Sequence, residues 1–271
     1  MTLSRIVALG FVIAAATACG SDEITNPSLP ALAGVRFING LSDSSAVDVR
    51  MVDQVEFSFN GIQNKAFRTG TEHQPVEAKA RHIRVFPNSV NPAITSAFMV
   101  DTTITFAANS RYTLLLVRET PTHVHLVVID DNVPAPPSGQ ISIRMVNTTT
   151  GAIDSYVVNT FAPTDPVAPP ATIANVAPLG ISTAISRAAG NAAVRVTPAG
   201  STTVAASQAG PTNTTPTGEN PAAAVNSPGT AFSVYYFPRS VPGTSAPQTT
   251  AAPNNYTIPG VVWFVDRNPA D

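Results

Sequence analysis

The 271-residue sequence holds a single cysteine, Cys19, so no disulfide can form within the chain and stability must come from apolar packing. Charge is scarce. Asp, Glu, Lys and Arg make up 12% of the residues, about half of the ~25% usual in soluble domains. Lysine is confined to Lys65 and Lys79, against thirteen arginines. A formal net charge of −2 with no basic run leaves no electrostatic footprint for a nucleic-acid partner. Catalytic signatures are missing as well. The chain has no Gly-x-Ser-x-Gly nucleophile elbow, no His-Glu-x-x-His zinc helix, no phosphate-binding glycine loop and no calcium loop. No catalytic residue, cofactor-binding residue or cofactor is therefore assigned.

What the chain has is proline, 25 residues of it, with abundant Thr, Ser, Asn, Ala and Val. This composition opposes long helices and suits short strands with many turns. At the amino terminus Arg5 precedes an uncharged apolar run, Ile6 to Ala16. At ~1.5 Å per residue a helix of that length falls well short of a ~30 Å hydrocarbon core, so the run reads as a signal-peptide h-region. Ala16-Thr17-Ala18-Cys19 follows it. Small residues ahead of a cysteine resemble the lipobox of bacterial lipoproteins. That resemblance implies cleavage before Cys19 and a lipid on its thiol, with two or more acyl chains giving a stable anchor. The alternative is a plain signal peptide cut after Ala18, which would leave a free thiol in an oxidising compartment. Gly20 and Ser21 follow, with no acidic residue before Asp22, which points to the outer membrane or cell surface over inner-membrane retention.

The mature chain repeats itself in four ordered blocks. Val35-Arg36-Phe37-Ile38-Asn39 with Ala46 to Val52 matches Ile143-Arg144-Met145-Val146-Asn147 with Ala152 to Val158. Ile83 to Pro87 matches Val194 to Pro198, Tyr112 to Leu116 matches Phe232 to Tyr236, and Leu126 to Asp130 matches Val262 to Asp266. The offset grows from 108 to 136 along the chain, so the second copy has gained residues late. The surplus falls in two low-complexity stretches, 199–230 and 240–259, expected to be mobile surface loops. Each block alternates as a short strand does, and Gly, Pro, Asn and Asp separate the blocks. The expected fold is all-β: two tandem immunoglobulin-like β-sandwich domains after a signal peptide and a flexible tether. The expected boundaries are 1–18 for the signal peptide, 19–33 for the tether, 34–132 for the first sandwich, 133–140 for a Pro-rich linker, and 141–271 for the second sandwich with its long loops.

The run Val35 to Val52, the strand entry Arg111-Tyr112-Thr113 and the Asp-ended last strand resemble the bacterial domain of unknown function family 4397. The resemblance covers most of the chain from Gly34 onward and is better in the first copy; the second departs at its loops and at Phe232. It implies an extracytoplasmic β-sandwich, often in tandem, and carries over no activity and no site residue.

Three patterns have both a functional and a structural reading. His123 and His125 stand two apart on a strand and so share a face, as candidate metal ligands with His82, Asp130 or Asp131 as a third. The preferred reading is solvent-facing strand positions, since two ligands fall short of a structural zinc site, and no metal site is assigned. Arg36 with Asp48 and Arg144 with Asp154 recur in both copies, either as a repeated ligand site or as cross-strand ion pairs that set register. Trp263, Tyr235 and Tyr236 could stack on a sugar or fill a core. Asn-x-Thr sequons occur at Asn147, Asn213 and Asn255, as glycosylation sites or by chance in a Thr-rich chain. The function expected is a lipid-anchored envelope module, non-enzymatic, for binding, adhesion or spacing. Its partners are the membrane through Cys19 and an envelope protein or glycan. The alternative is an envelope hydrolase on glycans or peptides with its site on sandwich-end loops.

Overall fold

The computed structural model of the protein describes residues 29–53, 62–161, 167–213, 223–251 and 254–269. Cys19, the apolar run before it and the tether as far as Ser28 lie outside the described residues. Residues Ala31–Asp271 form one compact unit. The first half contains β1 (Leu32–Asn39), β2 (Val47–Met51), β3 (Gln74–Glu77), β4 (Ala80–Pro87), a four-residue helix α1 (Pro92–Thr95), β5 (Val100–Thr105), β6 (Arg111–Thr120) and β7 (His123–Asp130). The second contains β8 (Gln140–Asn147), β9 (Ile153–Val158), β10 (Ile173–Val176), β11 (Ile185–Ala188), β12 (Ala193–Pro198), β13 (Ala206–Ala209), β14 (Ala231–Phe237) and β15 (Gly260–Arg267). The expected all-β sandwich architecture holds. Apart from α1 the described residues contain no helix, and none is long and apolar enough to cross a membrane.

Each half is two sheets. In the first, β3-β1-β6-β7 faces β2-β4-β5; in the second, β11-β8-β14-β15 faces β10-β9-β12-β13. β1 runs parallel to β6, and β8 runs parallel to β14, in the same relation. The alternation of β1 puts Val35 and Phe37 inside the first sandwich with Val47, Val49, Ile83, Val85, Leu114 and Leu116. The second sandwich has the equivalent core from Ile143, Met145, Val194, Val196, Phe232 and Val234.

The other face of these strands is buried too. Ile38, Leu115, Val117 and Ile129 of the first half pack with Val146, Tyr235 and Phe237 of the second in a third cluster. The sheets β3-β1-β6-β7 and β11-β8-β14-β15 therefore meet back to back, and the molecule has four layers. Strands covered on both faces read as continuous apolar runs, as Leu114 to Val117 and Val234 to Phe237 do. Approach at this seam is close enough to require glycine at Gly70, where a Cβ would lie 2.8 Å from the Phe264 ring and 2.9 Å from Ile38.

The repeat survives in three dimensions in its turns. The backbone N–H of Asn64 donates to Asp48 Oδ1 at 2.8 Å, and that of Asn175 donates to Asp154 Oδ1 at 2.7 Å. Both asparagines have left-handed backbone, at φ 52° and 51°, a conformation that Asn tolerates better than most residues. The pairing of Arg36 with Asp48 and of Arg144 with Asp154 is not formed. β1 and β2 lie in different sheets, as do β8 and β9, and both aspartates instead accept from loop residues further along their own half, Asn64 and Asn88 for Asp48 and Asn175 and Gly200 for Asp154.

Two further expectations are corrected. Asp131, not Asp130, is the counterpart of Asp266: Phe237 pairs with Gly260 where Val117 pairs with His125, and Phe232 with Val265 where Tyr112 pairs with Asp130, so Val265 answers to Asp130 and the next residue to Asp131. The stretch 240–259, expected to be mobile, is fastened to the first half. Val241 N–H donates to Ser42 O at 2.8 Å, and the Arg68 guanidinium reaches the carbonyls of Pro238, Asn255 and Ile258 at 2.6, 3.1 and 2.5 Å. Arg68 also lies over the rings of Phe67 and Tyr256. Burial lowers its pKa to about 10. In the 199–230 stretch, Ala206–Ala209 forms β13 on the edge of the outer sheet.

Candidate functional site: the charged seam between the halves

Four charged side chains meet at the seam, two from each half. Arg36 projects from β1 and Arg144 from β8, on the faces opposite their sandwich cores. Arg36 Nε donates to Thr113 Oγ1 at 2.8 Å, and Arg144 Nε donates to Ser233 Oγ at 2.7 Å. Each hydroxyl then donates to the aspartate of its own half: Thr113 to Asp131 at 2.5 Å and Ser233 to Asp266 at 2.6 Å. Each arginine spans both aspartates. Arg36 lies 3.2 Å from Asp131 and 2.8 Å from Asp266; Arg144 lies 2.6 Å from Asp131 and 3.2 Å from Asp266. The remaining guanidinium nitrogens cross the seam in the same way, Arg36 to Val265 O at 3.0 Å and Arg144 to Asp130 O at 2.8 Å. The result is a pseudo-twofold lattice of two positive and two negative charges, with both aspartate side chains fully buried.

One feature breaks the symmetry. His73 Nε2 stands 2.9 Å from Asp131 Oδ2. Thr71 and Ser182 hold equivalent places, each accepting a backbone N–H from the first strand of its half. By the same spacing the residue corresponding to His73 is Ala184, which has no polar group to offer. Burial would raise the Asp131 carboxyl. The hydrogen bond from His73, the Arg36 charge, the Thr113 hydroxyl and Arg144 outweigh it and hold Asp131 below the usual carboxylate range. Asp266 lies above that range. Burial and the neighbouring Asp131 charge raise it, against Arg36, Arg144 and the Ser233 hydroxyl.

Paired carboxylates with divergent pKa values are a pattern of acid–base sites. Here the chemistry is taken up by the fold. Asp131 Oδ2 already accepts from Arg36, His73 and Thr113, and Oδ1 from Arg144. Each of these oxygens is thus already engaged by a donor of the fold. A cleft of about 390 Å³ borders the lattice, lined by Glu72, His73, Arg111, Val265, Asp266 and Asn268. Sequence reasoning found Arg36 and Arg144 but not their partners or His73. The signals available were a polar residue in each doubly buried strand, at Thr113 and Ser233.

The histidine pair sits elsewhere, on the β6–β7 hairpin. The rings of His123 and His125 stack with centroids 4.9 Å apart, as same-face positions on one strand allow. None of the third ligands expected stands with them. His82 bonds Asp101, Asp130 bonds Asn132, and Asp131 is locked in the seam. Glu119 of β6 joins the pair instead. The aromatic residues are core. Tyr235 and Tyr236 are buried, and Trp263 packs edge-on against Phe232 with centroids 5.4 Å apart. Asn147 is fully buried, its amide donating to Gly151, Val176 and Ala177 carbonyls, so that sequon offers no acceptor.

Residues 33–156 match the family model DUF4397, a domain of unknown function. The DUF4397 match begins in β1, spans the first half and runs on into β9 of the second. The resemblance noted in the sequence is thus borne out over that range. Two solved structures of carbohydrate-binding modules are also similar to parts of the chain. One is a family 26 module from Eubacterium rectale Amy13K in complex with maltoheptaose. It is 12% identical, covers 75% of this chain and 91% of its own, and has a TM-score of 0.23. The other is a family 41 module from streptococcal virulence factors. It is 10% identical, covers 65% and 86%, and has a TM-score of 0.22. A search of curated proteins finds no match.

Proposed function

We propose that this protein is a lipid-anchored cell-envelope module that binds, adheres or spaces without catalysing a reaction. The observation that carries this reading is the seam lattice. Buried charges that could serve an acid–base site are spent on joining the two halves into one body, with every carboxylate oxygen engaged. A body fastened in this way keeps its surface loops in fixed relation, as a presenting or spacing element requires. The Ala16-Thr17-Ala18-Cys19 sequence supports placement in the envelope, with lipid on Cys19 and the body held at the outer membrane or cell surface. The partner is an envelope protein or glycan.

Cell fractionation with radiolabelled palmitate tests the anchor. The wild-type protein is expected in the membrane fraction carrying label, and Cys19→Ser is expected in the soluble fraction without it. Retention of Cys19→Ser in the membrane overturns the placement. Incubation of the purified protein with envelope glycan and protein fractions separates binding from turnover. Recovery of a bound component with its mass unchanged supports the module, and accumulation of cleavage products supports the hydrolase alternative.

A further inference from the structure

The β6–β7 hairpin carries a cluster that the seam does not use. β6 ends at Glu119–Thr120 and β7 starts at His123 after a tight turn. His123 and Thr120 are paired across the hairpin, and a register shift between Arg118 and Thr120 swings the end of β6 out of strict alternation. That shift brings Glu119 onto the histidine face. Its Oε2 lies 3.0 Å from His123 Nδ1. One ligand atom from each of Glu119, His123 and His125 falls within 4.8 Å of the other two. Glu119 and His123 are more than half exposed, and His125 is partly buried. The Nδ1 of His125 has no hydrogen-bond partner among the described residues, so no protein group competes for that imidazole nitrogen.

We infer that Glu119, His123 and His125 form a binding site for a divalent transition-metal cation. Two imidazoles and one carboxylate suit zinc, copper or nickel and disfavour calcium or magnesium, which take oxygen ligands. Three protein ligands leave a coordination position open to water or to a group from another molecule. Glu119 and His123 open the cluster to solvent, and the unpartnered His125 Nδ1 is buried beneath the surface. It is also peculiar to the first half. The β14–β15 hairpin places Gly260 opposite Phe237, where β6–β7 places His125 opposite Val117, and the residues ahead of it are Ile258 and Pro259.

Calorimetric titration of the metal-free purified protein with zinc sulfate tests the inference, with calcium chloride as the contrast. One equivalent of zinc is expected to bind saturably and calcium is not. His125→Ala and His123→Ala should each weaken zinc binding by roughly tenfold or more, and Glu119→Gln by less, as removal of a ligand or its orienting partner commonly does. Copper(II) bound at the site should show hyperfine coupling to two nitrogens in electron paramagnetic resonance, falling to one in His125→Ala. Absence of saturable zinc binding below 1 mM overturns the proposal. So does equal affinity in wild type and in a His125→Ala variant whose thermal unfolding is unchanged.

Discussion

The two halves of this molecule perform the same structural task with unequal means. Both present an arginine, a hydroxyl and an aspartate to a common seam, in the same bonding order. Only the first adds a histidine to its aspartate and an arginine that clamps its neighbour's loop. The second half supplies the long 238–258 segment that this arginine holds. The duplication therefore became a division of labour: one half provides fasteners and the other provides what is fastened. A lattice of this kind adds little net stability, because desolvation of its ions offsets their attraction. Its effect is to fix one docking geometry, since any other arrangement leaves buried charges unpaired.

Removal of one lattice charge should have the largest effect on that comparison. Arg36→Ala leaves two buried carboxylates facing each other and is expected to cost about 3–5 kcal/mol, measured by urea unfolding. Arg144, whose side chain keeps 11% exposure against 1% for Arg36, should cost less when replaced. Equal losses would mean that the halves are energetically interchangeable, and no loss from Arg36→Ala would remove the structural role of the lattice. The Arg68 clamp ranks next. Arg68→Ala abandons three carbonyls and should destabilise by about 1–3 kcal/mol, with faster amide exchange confined to 238–258.

The smallest and most discriminating effect is on pH dependence. Asp131 is held below the ordinary carboxylate range. Its contribution to stability is present above the unfolded value of ~3.9 and is lost as pH falls through its folded value. Asp266 is raised, so its contribution has the opposite sign: full below the unfolded value and lost as pH rises through the folded one. Asp131→Asn should flatten the acid limb of the stability curve, and Asp266→Asn should steepen it. The reading is the slope between pH 3 and 6 (about the carboxylate range), since both variants also lower the plateau. Matching slopes would mean that His73 does not distinguish the two halves.

The strands, the turns and the duplication were legible in the sequence because they are local. Alternation marks a strand within six residues, and Gly, Pro, Asn and Asp mark the breaks between strands. Arg36 and Arg144 were also legible as a repeated polar element on an apolar strand. Their partners were not. Arg36 bonds residues 95 and 230 positions away, and no spacing rule reaches that far, so the nearest aspartate in each copy was taken instead. A one-residue difference in the alignment of β7 with β15 was enough to hide which of Asp130 and Asp131 entered the seam. Glu119 escaped for a related reason, since only the register shift in β6 turns it toward the histidines.

Composition and pattern by themselves determined that this chain is all-β, duplicated, without disulfides and sparing in charge. They also contain the lipobox-like run Ala16-Thr17-Ala18-Cys19, a resemblance that rests on a few adjacent residues. Tertiary structure alone decided that the halves meet back to back, that the scarce charges are spent between them, and that a stretch of Pro, Thr and Ser is clamped in place. Those outcomes depend on which surfaces are brought together, and burial of a charge has an energetic meaning only once its distant partner is beside it.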